Sequence, residues 1–348
     1  MTGPRRILDA DAHVIEPGEL FGRAGAEPAI MDLPPTTPRV PCGEIELLTD
    51  FFAAGCSAGA YLTCMDRQGI DAAVLYPSIG LFAPFAPGIG ATDQRDRCRA
   101  YGEWIVGYCE TDPTRLAGVG ILPLLDVDLA RAALAEGAAA GLCAMLARPN
   151  NLFGRALGSS EYDSLYADMA EASMVLAVHE GLGTGGTLGR DRAESFSIRH
   201  ALSHPMEQMS AMASLMLDGA LERHPNLRVA FLESGTGWLP YWLARLDEHA
   251  EWMADSECSG LSLRPSEYFA RQCVISTDPE DRLAAFAAST VGADHMVWAS
   301  DFPHPDAAFP DALEQFLVHS PDLSDLDLDA LLWNTPLRFY GLERRFTR

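Results

Sequence analysis

Three apolar runs in this chain end on side chains that can hold a metal ion. The first reads Leu8-Asp9-Ala10-Asp11-Ala12-His13. Residues two apart on an extended strand project to one face, so Asp11 and His13 can grip one ion together. The second is Val175-Leu176-Ala177-Val178-His179, an imidazole placed directly after an apolar run. The third is Val297-Trp298-Ala299-Ser300-Asp301, which brings a second carboxylate. Two imidazoles and two carboxylates make a mixed nitrogen and oxygen set for one divalent ion, zinc first, with manganese or iron as alternatives. Such an ion can activate water or hold and polarise a substrate oxygen. Taken singly, each signal also has a structural reading. A histidine after a strand serves as a hydrogen-bonder, and an aspartate there caps a helix or forms a turn. Asp9 competes with Asp11 but lies one pleat deeper. The combination of the three run ends is what points to a metal.

These side chains meet only if a fold brings the run ends together. Eight short apolar runs alternate with helical patterns, as in repeated βα units around a parallel sheet. They are Arg6–His13, Ala72–Tyr76, Leu116–Leu122, Leu142–Leu146, Val175–His179, Leu227–Leu232, Cys273–Ser276 and Met296–Ser300. The runs are apolar on both faces, as buried parallel strands are. Helical patterns cover Asp93–Cys109, Val127–Ala140, Tyr162–Glu171, His204–Arg223, Trp238–Trp252, Pro279–Ala288 and Asp311–His319. Eight such units predict an α/β chain folded as a (β/α)8 TIM barrel, one domain over residues 1–348. The C-terminal strand ends of a barrel converge at one mouth, where active sites lie. A doubly wound open sheet would want a glycine-rich phosphate turn after its first strand, and none is present.

Pro17–Ala60 breaks the repeat. It is rich in proline, shows few helical or strand signals, and is read as a lid inserted after the first strand, over the mouth. Leu81–Thr92, rich in Phe, Pro and Gly, faces the same mouth. The tail Leu323–Arg348 is read as helices packed outside the barrel.

Composition narrows the partners. The formal charge is −24, which repels phosphate backbones and anionic membranes, so neither nucleic acid nor a membrane surface is expected as partner. No lysine occurs in the chain, which excludes a Schiff-base lysine, a P-loop lysine and a carboxylated lysine bridging two metals. The eight cysteines include no C-x-x-C pair, and no apolar run reaches the roughly 18 residues of a membrane span. A cytoplasmic protein with reduced, buried thiols is expected.

The chain resembles the amidohydrolase superfamily, in particular the branch containing aminocarboxymuconate-semialdehyde decarboxylase and gamma-resorcylate decarboxylase. The resemblance lies in Asp9-Ala10-Asp11-Ala12-His13-Val14-Ile15-Glu16-Pro17, in Leu146-Ala147-Arg148-Pro149-Asn150 and in Val178-His179-Glu180-Gly181. It continues in Arg223-His224-Pro225-Asn226-Leu227-Arg228-Val229-Ala230-Phe231-Leu232-Glu233-Ser234-Gly235 and in Trp298-Ala299-Ser300-Asp301-Phe302-Pro303-His304-Pro305-Asp306. It implies one catalytic metal on Asp11, His13, His179 and Asp301. Asp11 departs from the His or Glu of many relatives and makes the site richer in oxygen, which favours manganese more than in those relatives.

Where the decarboxylases carry a proton-handling His after the sixth strand, this chain has Glu233. That glutamate is either an acid–base group or a partner orienting a ligand histidine. His204, opening the helix before the sixth strand, and His304 are further proton-transfer or supporting candidates. Arg148 can hold a substrate carboxylate or form a salt bridge in the rim; Asn150 follows it. Glu16 and Glu180 follow ligands closely and are read as substrate or supporting contacts. Trp238, Phe82 and Phe85 either line an apolar pocket or simply pack.

Two activities follow. One is non-oxidative decarboxylation of a small aromatic or unsaturated carboxylate, with Glu233 or His204 protonating carbon. The alternative is hydrolysis of an amide, ester or lactone by metal-activated water, with Asp301 taking the proton. A non-catalytic ligand-binding barrel is a third reading, opposed by the full ligand set. The resemblance also implies a homodimer.

Overall fold

The computed structural model describes residues 5–21, 45–150, 154–181, 188, 195–304 and 307–346, with side chains of 45–47 and 196 left aside. Eight strands appear in chain order: β1 (Leu8–Val14), β2 (Ala72–Pro77), β3 (Leu116–Ile121), β4 (Ala144–Ala147), β5 (Val175–Val178), β6 (Arg228–Phe231), β7 (Cys273–Thr277) and β8 (Met296–Trp298). Each pairs in parallel with the next, from β1 to β8. Nearly every strand residue is buried, because the barrel fills one side and helices cover the other.

The seam between β8 and β1 is joined by side chain and backbone together. Asp301 N–H donates to the Asp11 carbonyl at 3.3 Å, and His13 N–H to the Phe302 carbonyl at 2.7 Å. The Asp9 carboxylate accepts from Ser300 N–H at 3.1 Å and from the Ser300 hydroxyl. Burial raises the Asp9 carboxyl to about 7, against the pull of those bonds. Asp9 is thereby engaged in the seam, while Asp11 faces the mouth. β8 stops at Trp298, short of the expected Ser300; Ala299 N–H still donates to the Thr277 carbonyl at 3.0 Å, and Ser300 N–H turns to the Asp9 carboxylate. The eight parallel strands with their intervening helices form the (β/α)8 barrel.

The helices are α1 (Ile45–Ala53), α2 (Ala58–Gln68), α3 (Ala91–Cys109), α4 (Val127–Ala139), α5 (Asp163–Glu171), α6 (Phe196–Leu217), α7 (Ala220–Arg223), α8 (Leu239–Trp252), α9 (Pro265–Gln272), α10 (Ala284–Val291), α11 (Ala312–His319), α12 (Asp325–Asp329) and α13 (Thr335–Phe339). Between α12 and α13 lies a π-helical turn, Ala330–Asn334, and this turn and α13 pack against β1 and β8.

Several expectations need correction. Pro17–Ala60, expected to show few helical signals, carries α1 and the start of α2; the lid reading itself falls largely on the stretch 22–44, which lies outside the described residues. The helical signal in α2 is Ala58, Tyr61, Cys64 and Met65, buried on one face, closed by Gly69 at φ 71°. The helix read as His204–Arg223 begins at Phe196 and breaks at Gly219, whose φ of 78° is left-handed. His204 therefore lies inside α6, not at its start. The helix read from Pro279 begins at Ala284, and α9 was not anticipated.

Candidate metal centre

At the mouth, the ends of β1, β5 and β8 converge. His13 Nδ1–H donates to the Pro77 carbonyl at 2.9 Å, and His179 Nδ1–H to the Glu180 carbonyl at 2.6 Å. A carbonyl only accepts, so each ring carries its proton on Nδ1 and presents a bare Nε2. The two Nε2 atoms lie 3.2 Å apart. Asp11 Oδ1 is 3.4 Å from His179 Nε2 and 3.7 Å from His13 Nε2. Asp301 Oδ1 is 3.4 Å from His13 Nε2. Burial, then His304 and His179, push the His13 pKa well below its ordinary value, so a proton does not separate these lone pairs.

Acceptors facing acceptors at contact distance repel, and Asp11 Oδ1 is enclosed with no hydrogen-bond partner. A cation at their centre removes the conflict. Donor atoms bound at about 2.0–2.1 Å to one ion stand roughly 3.0–3.4 Å apart, close to the spacing seen here. The residues fit one divalent ion. Two overlapping groups have this compactness: Asp11, His13 and His179, and His13, Asp301 and His304.

The backbone is shaped to aim these groups. The β1–β2 register slips between Asp9 and Ala12, a bulge just where Asp11 must turn inward. Asp301 at φ 55° and Glu233 at φ 48° are left-handed although neither is glycine. Such strain persists where surrounding contacts enforce it, and it clusters at functional sites. Behind Asp301, His304 Nδ1 lies 2.7 Å from its Oδ1, Ser78 Oγ lies 3.0 Å from His304 Nε2, and the His304 ring rests 4.1 Å from that of His13. His304 thus contacts the same Asp301 oxygen that faces His13, and the three side chains form one compact group.

Glu233 follows β6. Its Oε2 lies 3.4 Å from His179 Nε2 and 3.5 Å from His204 Nε2. Ser276 Oγ accepts its backbone N–H at 2.9 Å. Gln208 on α6 donates to the Val178 and Leu232 carbonyls at 2.7 and 2.9 Å, so one side chain aligns the ends that carry His179 and Glu233. His204 is buried, with Nε2 enclosed and lacking a hydrogen bond, and burial holds it neutral well below its ordinary pKa. Glu233, His204, His200, Asp278 and Asp301 all line one cavity of about 470 Å³. Trp238 donates its indole N–H to the Ser234 carbonyl at 3.0 Å, closing the turn after Glu233.

Other candidates hold the rim together. Glu16 accepts the backbone N–H groups of Ser78, Ile79 and Gly80 at 3.2, 2.9 and 2.9 Å, tying the end of β1 to the loop after β2. A Cβ at Gly80 would meet Pro77 Cβ at 2.7 Å, so only glycine fits that approach. Arg148 is buried and donates to Glu180 at 3.0 Å and to the Leu81 and Gly181 carbonyls at 3.2 Å. Its guanidinium is engaged with protein, not turned to the cavity, and Glu180 is its ion-pair partner. Asn150, also buried, encloses both its side-chain amide atoms without a hydrogen bond among the described residues. Phe82 packs against Gly181, and Phe85 lies under the Arg148 guanidinium at 5.8 Å.

The sequence reading missed Ser78, Gln208 and Asp278. Asp278 follows an apolar run as Asp301 does, but Pro279 beside it reads as the start of a helix. Ser78 carries no signal beyond that of a turn residue, and Gln208 reads as an ordinary helix position.

Known proteins resemble this chain along its length. A 2-amino-3-carboxymuconate-6-semialdehyde decarboxylase of Dictyostelium discoideum is 22% identical over 284 residues, covering 80% of this chain and 75% of that protein. A gamma-resorcylate decarboxylase of a Polaromonas strain is 23% identical over 298 residues, covering 80% and 86%. A 5-carboxyvanillate decarboxylase of Novosphingobium aromaticivorans, solved with manganese and 4-hydroxy-3-methoxy-5-nitrobenzoic acid, shares the fold at a TM-score of 0.76 and 16% identity, over 97% of this chain and 96% of that one. A family model described as amidohydrolase matches residues 8–342, from the first strand to the last helical turns, and on that match the chain belongs to the amidohydrolase family.

Proposed function

We propose that this chain is a metal-dependent, non-oxidative decarboxylase of a small aromatic or unsaturated carboxylate. The observation that carries the reading is the acceptor-only cluster of Asp11, His13, His179 and Asp301, whose Asp301 also lines a cavity of about 470 Å³, a size for a single-ring acid. The two decarboxylase relatives, and the aromatic acid bound in the Novosphingobium enzyme, support the reaction and substrate class.

In this reading those four residues hold the ion. When bound, it supplies a Lewis acid that fixes the substrate carboxylate and a neighbouring oxygen and draws charge from the ring. The Pro77 and Glu180 carbonyls keep both imidazoles in the donor tautomer. Glu233 Oε2 stands at the edge of the cluster, 3.4 Å from His179 Nε2 and 3.5 Å from His204 Nε2. Arg148 serves the rim, so the substrate carboxylate is held at the cluster. The oxygen-rich donor set accepts zinc, manganese or iron, and the manganese of the Novosphingobium enzyme makes it the first metal to test.

The reading extends to assembly and place. Trp252 and Tyr241 on α8 and Phe286 on neighbouring α10 are exposed by 76, 65 and 55%, which supports a self-association surface and a homodimer. No helix among the described residues is long and apolar enough to cross a membrane, and the seven described cysteines are buried and free, in keeping with the cytoplasm. Cys42 lies outside the described residues.

The test is elemental analysis of purified protein followed by carbon dioxide release from a panel of hydroxybenzoates. One divalent ion per chain and release from at least one acid support the reading. Metal-dependent cleavage of an ester, amide or lactone with no carbon dioxide from any acid replaces it with hydrolysis. Sedimentation of the same preparation tests the homodimer.

A further inference from the structure

We propose that Asp278 is the catalytic residue that delivers the proton to the substrate carbon. The assignment rests on the decarboxylase reading and names the acid which that reading needs. Asp278 directly follows β7, between the strands whose ends carry Glu233 and Asp301, and all three line the same cavity. Of the other acids there, Glu233 and Asp301 stand against the histidines of the cluster, Asp281 is hydrogen-bonded, and Glu280 is exposed. Glu233 Oε2 abuts His179 and His204 at 3.4 and 3.5 Å, and Asp301 Oδ1 lies against His304 and His13 at 2.7 and 3.4 Å. Asp281 accepts from Thr236 N–H and hydroxyl at 2.8 and 2.6 Å. Asp278 Oδ1, by contrast, is enclosed without a hydrogen-bond partner. Across the cavity, buried His204 likewise leaves Nε2 without a hydrogen bond. Two enclosed, unbonded polar atoms on one cavity are places for a ligand to complete.

The chemistry suits that position. Burial, with Glu280 and Asp281 adding to it, holds the Asp278 carboxyl well above the usual carboxylate range, so it carries a proton to give. The Asp278 O–H bond breaks as a bond forms between its proton and the ring carbon bearing the carboxylate. The bond from that carbon to the carboxylate then breaks, its electron pair stays with the ring, and carbon dioxide leaves. Asp278, now a carboxylate, regains a proton from solvent.

The experiment compares wild type with Asp278→Asn and Asp278→Glu. Each is assayed for carbon dioxide release from the hydroxybenzoate panel, for metal content, and for binding of 4-hydroxy-3-methoxy-5-nitrobenzoic acid. Positioned acid catalysis contributes about 10²–10⁴-fold, so kcat should fall at least about 100-fold in Asp278→Asn with metal content and analogue binding retained. Asp278→Glu, which keeps an acid, should recover part of the loss. If Asp278→Asn stays within about threefold of wild type, or loses metal or analogue binding along with turnover, the assignment is overturned. A wild-type protein that releases no carbon dioxide removes the decarboxylase reading, and this assignment with it.

Discussion

The Glu16 carboxylate gives the sharpest stability prediction. It is 3% exposed, and burial raises it from 4.5 to about 7, although three backbone N–H groups pull the other way. Between those two values the folded chain holds a proton that the unfolded chain has released. Stability from this group therefore falls as pH rises from 4.5 through 7. Linkage over that interval removes about 2–3 kcal/mol between pH 5 and pH 8. At roughly 2.1 cal/mol/K per residue, a chain of 348 residues converts about 0.7 kcal/mol into one degree of Tm, so the effect is about 3–4 °C.

Glu16→Gln removes the titration. The amide can serve fewer of the three donors, which costs about 1–3 kcal/mol at every pH. Wild type should therefore melt above the variant at pH 5, and the gap should narrow by about 3–4 °C by pH 8. Calorimetry of chelator-treated wild type and variant, at matched ionic strength, keeps metal binding out of the comparison. Other titrating groups cancel in the difference. A gap that is constant with pH, or one that widens toward pH 8, would refute the claim that Glu16 is buried as a reluctant anion.

Ser78→Ala should cut metal affinity about 10–100-fold without unfolding the chain, since it removes the hydroxyl behind His304 and Asp301; competition with a chromophoric chelator reads it. Arg148→Met leaves Glu180 buried beside His179 with its ion partner gone, a loss of about 3–5 kcal/mol that lowers Tm by about 4–7 °C in thermal melts. Asp301→Ala should leave the purified protein without its divalent ion by elemental analysis. Removing metal from wild type should lower Tm, by about 4 °C where free metal had stood at 100 times Kd, because binding at that level contributes about 2.7 kcal/mol.

The barrel was legible because period and burial agree. Strands buried on both faces leave continuous apolar runs, and all eight appear at positions close to those expected. The ends of β1, β5 and β8 were legible for the same reason, since a ligand directly after a buried run is placed by the run. What failed depended on contacts across the chain. The span 17–60 looked irregular because the prolines from Pro28 to Pro41 drew attention away from the short helix Ile45–Ala53 that follows them. Arg148 reads equally as a substrate clamp or a rim bond until Glu180, Leu81 and Gly181 are seen around it. Asp278 was hidden by a proline whose local meaning, a helix start, is sound on its own terms.

Closure of the barrel and geometry of the cluster share the same atoms. Asp11 and His13 stand on β1, Asp301 just past β8, and the bonds that join those strands are Asp301 N–H to Asp11 and His13 N–H to Phe302. Asp9 and Ser300 stitch the same seam one step deeper. An ion held by Asp11, His13 and Asp301 would therefore span the one junction that lacks a regular strand ladder. His179 is different, because β5 lies between two ordinary ladders and closes whether or not the ring is filled. It follows that damage at Ser300 or Asp9 should register in stability and metal retention together. Loss of the His179 imidazole should register in metal retention, with the barrel still closed.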